Sequence, residues 1–208
     1  MYALISPDQI ELPPGAVVRL PASWADYQTL AQQRGDRALP RLKYRPGELL
    51  LMSPLPKHGR DANTVADVVK VLLERGDRDY SAFTPITLDL PEISGIEPDY
   101  CFYIENWAAV AGKDRLDWQR DPPPDLVIEI DVTSYSDPRD YRPYRVPEIW
   151  LLRQDDLQIY QLAGEDYRQQ TRSRYFPEHD LPTLVSGCLA IARQQNSSAA
   201  IRDLRDRL

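Results

Sequence analysis

The chain has 208 residues, 42% of them hydrophobic and 27% charged, the balance of a folded domain with its own core rather than of a disordered or fibrous protein. With 25 Lys and Arg against 32 Asp and Glu the net charge is −7, so nucleic acid would have to be met by a local basic patch and not by overall charge. Two cysteines and two distant histidines do not make a structural zinc site.

The opening stretch MYALISPDQIELPPG lacks a basic segment followed by an apolar run, and no apolar stretch is long enough to span a bilayer. The expectation is a cytoplasmic protein with no membrane partner, whose Cys101 and Cys188 are buried free thiols. Ser23 with Asp26 is a capping signal that opens a helix to about Arg34, closed by Gly35. RLKYRPGELLLMSP predicts two short strands around a turn at Pro46-Gly47. Val65, Val68, Val69, Leu72 and Leu73 share one face of a helix over roughly 59–75, ended by Gly76. DYSAFTPITLDL and IEPDYCFYI read as strands, the first interrupted at Pro85, and 106–120 as a partly helical connection. A strand over 126–132 follows, then strands at 148–152 and 157–162, with a third beginning near Tyr167. The tail from about Leu181 is helical, with a break at 196–198.

This order predicts an α/β (mixed α+β) domain with one sheet and flanking helices, without a dinucleotide or Walker-type phosphate loop. It divides into an N-terminal extension with one helix (1–40), an α/β core (41–180) and a helical tail packing on the core (181–208).

The strand PPPDLVIEIDVTS poses the chemical question. Alternation puts Val127, Glu129 and Asp131 on one face and Leu126, Ile128, Ile130 and Val132 on the other. Two carboxylates on the same face repel unless a cation or protons neutralise them. Asp99, at the mouth of the strand Tyr100–Ile104, could converge on them, and Glu48 could be a fourth acid. Hard cations such as magnesium take oxygen ligands, activate water and stabilise charge on a phosphoryl group. The plainer alternative is that Glu129 and Asp131 pair with arginines and that Glu48 only decorates a hairpin. His58 is either a site residue or an ordinary helix-start histidine, and His179 reads as a loop residue.

The blocks YRPGELLLMSP, KHGRDANTVADVV, IEPDYCFYI, PPPDLVIEIDVTS and VPEIWLL, in that order, resemble the Uma-two (Uma2) family of endonucleases, from about Leu42 to Tyr160. That resemblance implies the PD-(D/E)xK restriction-endonuclease-like fold, a central mixed sheet flanked by helices. It implies Asp99 as the acid of the "PD" motif, Glu129 as the next acid, and magnesium or manganese held by Asp99, Glu129 and the Ile130 carbonyl. It implies a nucleic-acid substrate, DNA before RNA, and by analogy a homodimer. Glu48 and His58 match positions where the family carries an acid and a histidine.

The chain departs from the pattern at Asp131, where the superfamily motif expects lysine, and it has no lysine between Glu129 and Trp150. Arg139, Arg142 and Arg145 stand in that interval, and an arginine stabilises phosphate but does not act as a general base. Of these Arg139 is the choice as catalytic cation, with Asp131 an outer or additional ligand, and Arg142, Lys57 and His58 contacting substrate. Either the metal suffices to activate water, or Lys57 or His58 reaches in, or the chain is a weakly active or inactive nuclease fold that serves as a binding module.

Overall fold

Alternating apolar positions build two sheets where the sequence predicts one. The computed structural model describes residues 12–35, 37, 39–84, 86–131 and 136–208. In chain order these form β1 (Val17–Ala22), α1 (Trp24–Arg34), β2 (Arg41–Arg45), β3 (Gly47–Met52), α2 (Pro56–Arg75), β4 (Ser81–Phe83), β5 (Leu88–Leu90), β6 (Ser94–Ile96) and β7 (Tyr100–Tyr103). The short helix α3 (Trp107–Val110), β8 (Leu126–Asp131), a 3-10 helix (Pro138–Tyr144), β9 (Glu148–Arg153), β10 (Asp156–Ala163), β11 (Asp166–Gln170), α4 (Leu181–Gln194) and α5 (Ser197–Arg207) follow.

The first sheet is antiparallel, in the order β1-β3-β2-β6-β5. The second, β11-β10-β9-β8-β7-β4, is mixed, with β8 and β9 parallel and the other neighbours antiparallel. This is the mixed α/β architecture expected, with the antiparallel sheet added to it. Leu126, Ile128 and Ile130 turn to one face of the mixed sheet, where Val65, Val69 and Leu73 of α2 and Val185 and Leu189 of α4 meet them. Each such fully buried side chain contributes about 1.5–3 kcal/mol. Val127 turns to the opposite face, among Cys101, Tyr141, Tyr144 and Ile149. Tyr27, Leu42, Tyr44, Leu49 and Leu51 form a third cluster, with Leu30 and Ala31 of α1 packed against it.

Local signals act as read. Ser23 caps α1 in a reciprocal box with Asp26, Gly35 stands just beyond α1, and Gly47 takes a positive φ of 85° at the hairpin turn. Asn196 caps α5 at the break in the tail. The thiols of Cys101 and Cys188 are free and buried. Helix α2 begins at Pro56, earlier than the periodicity indicates, because a proline in the first turn has its φ preset and no N–H to satisfy. This extra turn makes His58 part of the helix.

Two predicted strands are each shared between the sheets. β4 belongs to the mixed sheet and β5 to the antiparallel one; Pro85, between them in sequence, lies outside the described residues, as does Val132. IEPDYCFYI divides in the same way, with Ile96 in β6 and Tyr100 opening β7. Pro98 has no N–H for a sheet ladder, so residues 97–99 cross from one sheet to the other. The connection expected to be partly helical over 106–120 is helical only at α3 among the described residues. No helix among the described residues is long and apolar enough to cross a membrane.

Candidate active site

Asp99 stands in the crossing between β6 and β7, where both sheets supply its partners. Its Oδ1 accepts from His58 Nε2 at 2.7 Å and from Arg41 Nη1, and its Oδ2 accepts from the Ile130 N–H at 2.7 Å. The family resemblance implies a metal contact for the Ile130 carbonyl; its N–H, a separate group, holds Asp99. Asp99 is only 2% exposed, and burial by itself would raise its carboxyl. His58, Arg41 and the Ile130 N–H outweigh that cost and hold Asp99 below the usual carboxylate range.

Glu129 is perturbed in the opposite direction. Burial first, and then the charge of Asp99, push it from 4.5 to about 7, against the pull of Lys43, Tyr141 and Arg41. The Tyr141 hydroxyl, carried by the 3-10 helix, donates to Glu129 Oε1. The repulsion anticipated for this strand is therefore present, but it acts between Glu129 and Asp99 and not between Glu129 and Asp131. Asp131, 4% exposed, has Arg153 as its register partner on the parallel strand β9. Arg153 Nε and Nη2 reach Asp131 Oδ2 at 2.9 and 2.8 Å, and Nη2 also reaches the Ser136 carbonyl at 2.7 Å.

A cavity of about 50 Å³ is lined by Arg41, Lys43, His58, Glu129, Ile130 and Asp131, among others. Its size admits an ion with a few waters. Sequence reasoning did not single out Arg41, Lys43, Tyr141 or Arg153. A signal for two of them was there: Leu42 and Tyr44 are core residues, so Arg41, Lys43 and Arg45 must share the opposite face of β2. Arg41 meets Asp99, while Lys43 Nζ lies 2.5 Å from Asp140 Oδ2 and Arg45 forks onto the same carboxylate at 2.6 and 2.7 Å.

Other expected residues lie away from this group. Glu48, on the hairpin, sits 3.7 Å from both Arg19 and Arg45. Lys57 turns to Asp61 at 3.0 Å and to Asp155 at 3.5 Å. Arg139 pairs with Asp137 in an open groove that Arg19, Arg45 and Arg153 also line. Arg142 pairs with Asp166 at 2.5 Å. Of the two groups considered to reach in, His58 lines the cavity, whereas Lys57 lines a neighbouring groove with Ile130 and Asp131.

Among the described residues no three His, Cys, Asp or Glu side chains are grouped to hold a metal, which disfavours an all-protein cage of the zinc kind. Asp99 and Glu129 nonetheless suit magnesium or manganese. Magnesium takes one or two carboxylates and completes its shell with water and phosphate oxygens. Burial, and then the charge of Asp99, raise Glu129 even with Arg41 and Lys43 beside it, so a cation there would favour its ionised form.

A family model, Uma2, described as "Putative restriction endonuclease", matches residues 24–192. No curated protein matches the chain. A solved structure described as "a putative nuclease belonging to DUF820 from Anabaena variabilis ATCC 29413" is similar at 15% identity with a TM-score of 0.51, over 89% of this chain and 98% of that one. At that identity the likeness bears on the fold.

Proposed function

The chain belongs to the Uma2 family, and on that premise we propose that it hydrolyses phosphodiester bonds of nucleic acid, DNA before RNA, with magnesium or manganese held by Asp99 and Glu129. The carrying observation is the junction of the two sheets: Asp99, held by His58, Arg41 and the Ile130 N–H, is tied to the strand that carries Glu129 into a cavity lined also by Arg41, Lys43 and His58. The ion would supply Lewis acidity, making water a stronger nucleophile and offsetting charge on the phosphoryl group. The protein's own part is to arrange the acids. His58 and the Ile130 N–H keep Asp99 ionised and fixed, and the Tyr141 hydroxyl orients Glu129. Arg41, on the face of β2 that meets these acids, adds fixed positive charge beside them. Asp131 is held by Arg153 and serves to lock β8 against β9.

Incubating the protein with supercoiled DNA, linear DNA and RNA, with Mg²⁺ or Mn²⁺, tests the reading. Cleavage is expected with wild type and loss of at least a hundredfold with Asp99→Asn or Glu129→Gln, on the order of a removed transition-state contact. Undiminished cleavage in both variants rejects this site. A second reading, a nuclease fold that binds without cutting, is favoured by Arg41 seated on Asp99 and Arg153 on Asp131. It predicts DNA binding in EDTA and no cleavage with either ion. We also propose a homodimer, so that two sites serve two strands; sedimentation at micromolar concentration checks it.

A further inference from the structure

Position 131 lacks the ammonium that the motif would place there, yet a lysine from another strand lines the cavity. Lys43 lines it together with Arg41 and Glu129. The side chain is 18% exposed, and its Nζ is set by Asp140, itself 8% exposed. Consecutive residues of one 3-10 helix make this arrangement: Asp140 fixes Lys43, and Tyr141 fixes Glu129. Asp140 is in turn held by the Arg45 fork and accepts the Asp137 N–H at the start of that helix. An ammonium carries three donors, so Asp140 leaves Lys43 able to donate into the cavity. Lys57 and the arginines of the 139–145 segment do not line it.

We infer that Lys43 is the ammonium that contacts the substrate phosphate, and that Asp140 is its positioning residue. The ligand class is a nucleotide phosphate or phosphodiester, and the inference rests on the hydrolytic reading of Asp99 and Glu129. The short path from Asp140 to Tyr141 sets the phosphate contact and the Glu129 carboxyl from one rigid turn. Arg45 shares Asp140 but does not line the cavity, which makes it the control for lost packing around that acid.

The test is calorimetric binding of thymidine 3′,5′-bisphosphate to the full chain in Ca²⁺, with Ca²⁺ binding alone measured separately. Lys43→Met should weaken the bisphosphate about tenfold or more at Ca²⁺ saturation determined for each variant, as expected for loss of a charge-assisted hydrogen bond. Lys43→Arg should restore most of the affinity, and Arg45→Met should cost less than Lys43→Met. Wild type that does not bind the bisphosphate, or Lys43→Met that binds it as wild type does, overturns the inference. Wild type that binds it through Lys43 but cleaves no nucleic acid instead removes the hydrolytic reading and leaves this contact standing. Cleavage by Lys43→Met at the wild-type rate removes this contact and leaves that reading intact.

Discussion

Replacing Glu129 by Gln should change how stability depends on pH, because Glu129 runs opposite to carboxylates held low by salt bridges. Burial and Asp99 raise the folded-state value of Glu129 from 4.5 to about 7. The folded protein therefore keeps the proton that the unfolded chain releases. The resulting stabilisation is fully present below 4.5 and is lost as pH rises through about 7. A carboxyl moved that far is worth about 3 kcal/mol at most, less where solvent enters the cavity. Urea unfolding of metal-free protein between pH 4.5 and 8 measures this. Wild type should lose up to that amount relative to Glu129→Gln as pH rises, and millimolar Mg²⁺ or Mn²⁺ should flatten the wild-type curve by favouring the ionised form. Asp99, held low, loses its contribution only below 3.8 and stays outside the window. A pH-independent difference between wild type and Glu129→Gln would refute the idea that burial and Asp99 keep Glu129 protonated in the fold.

Three further outcomes follow from the packing. Tyr141→Phe removes the donor to Glu129, so the Glu129 titration in the same unfolding series should move higher still, with a loss of roughly 1–2 kcal/mol above neutral pH. Gly95→Ala should cost about 1–3 kcal/mol in urea midpoint, because a Cβ there runs into the Tyr27 ring, whose hydroxyl is fixed by Asp89 at 2.5 Å. Glu148→Gln should cost about 3 kcal/mol in thermal unfolding: the 0% exposed carboxylate accepts from Trp150, Ser173, Gln161 and the Arg174 N–H, and an amide NH₂ would face donors.

The strands, caps and most of the helices were legible because they depend on neighbours in sequence. Leu126, Ile128 and Ile130 alternate with Val127 and Glu129, and that alternation alone gives the two faces of β8. Ser23, Gly35 and Asn196 mark helix ends by the hydrogen bonds their own backbone needs. The division of IEPDYCFYI between two sheets was not legible, since Pro98 signals a break but not which sheet each half joins. The site shows the same limit. Asp99 and Glu129 stood out as acids in apolar strands, and Asp131 stood out equally. What separates Glu129 from Asp131 is Arg153, a register partner on β9 that no local pattern identifies. Tyr141 and Asp140 likewise act across 12 and 95 positions, on Glu129 and on Arg45, so their roles exist only once the fold has formed.

The crossing of Asp99 between the sheets has a bearing on when the protein becomes competent. Its three donors come from 58 residues away (Arg41), 41 residues away (His58) and 31 residues away (Ile130). Contacts so separated in sequence repay their loop-closure cost late in folding, after local helices and hairpins have formed. A chain still emerging or only partly collapsed thus holds all its acids but no acidic site. An ion-binding signal during refolding should coincide with the last structural phase. Under the proposed hydrolytic function, cleavage of nucleic acid would require the completed fold.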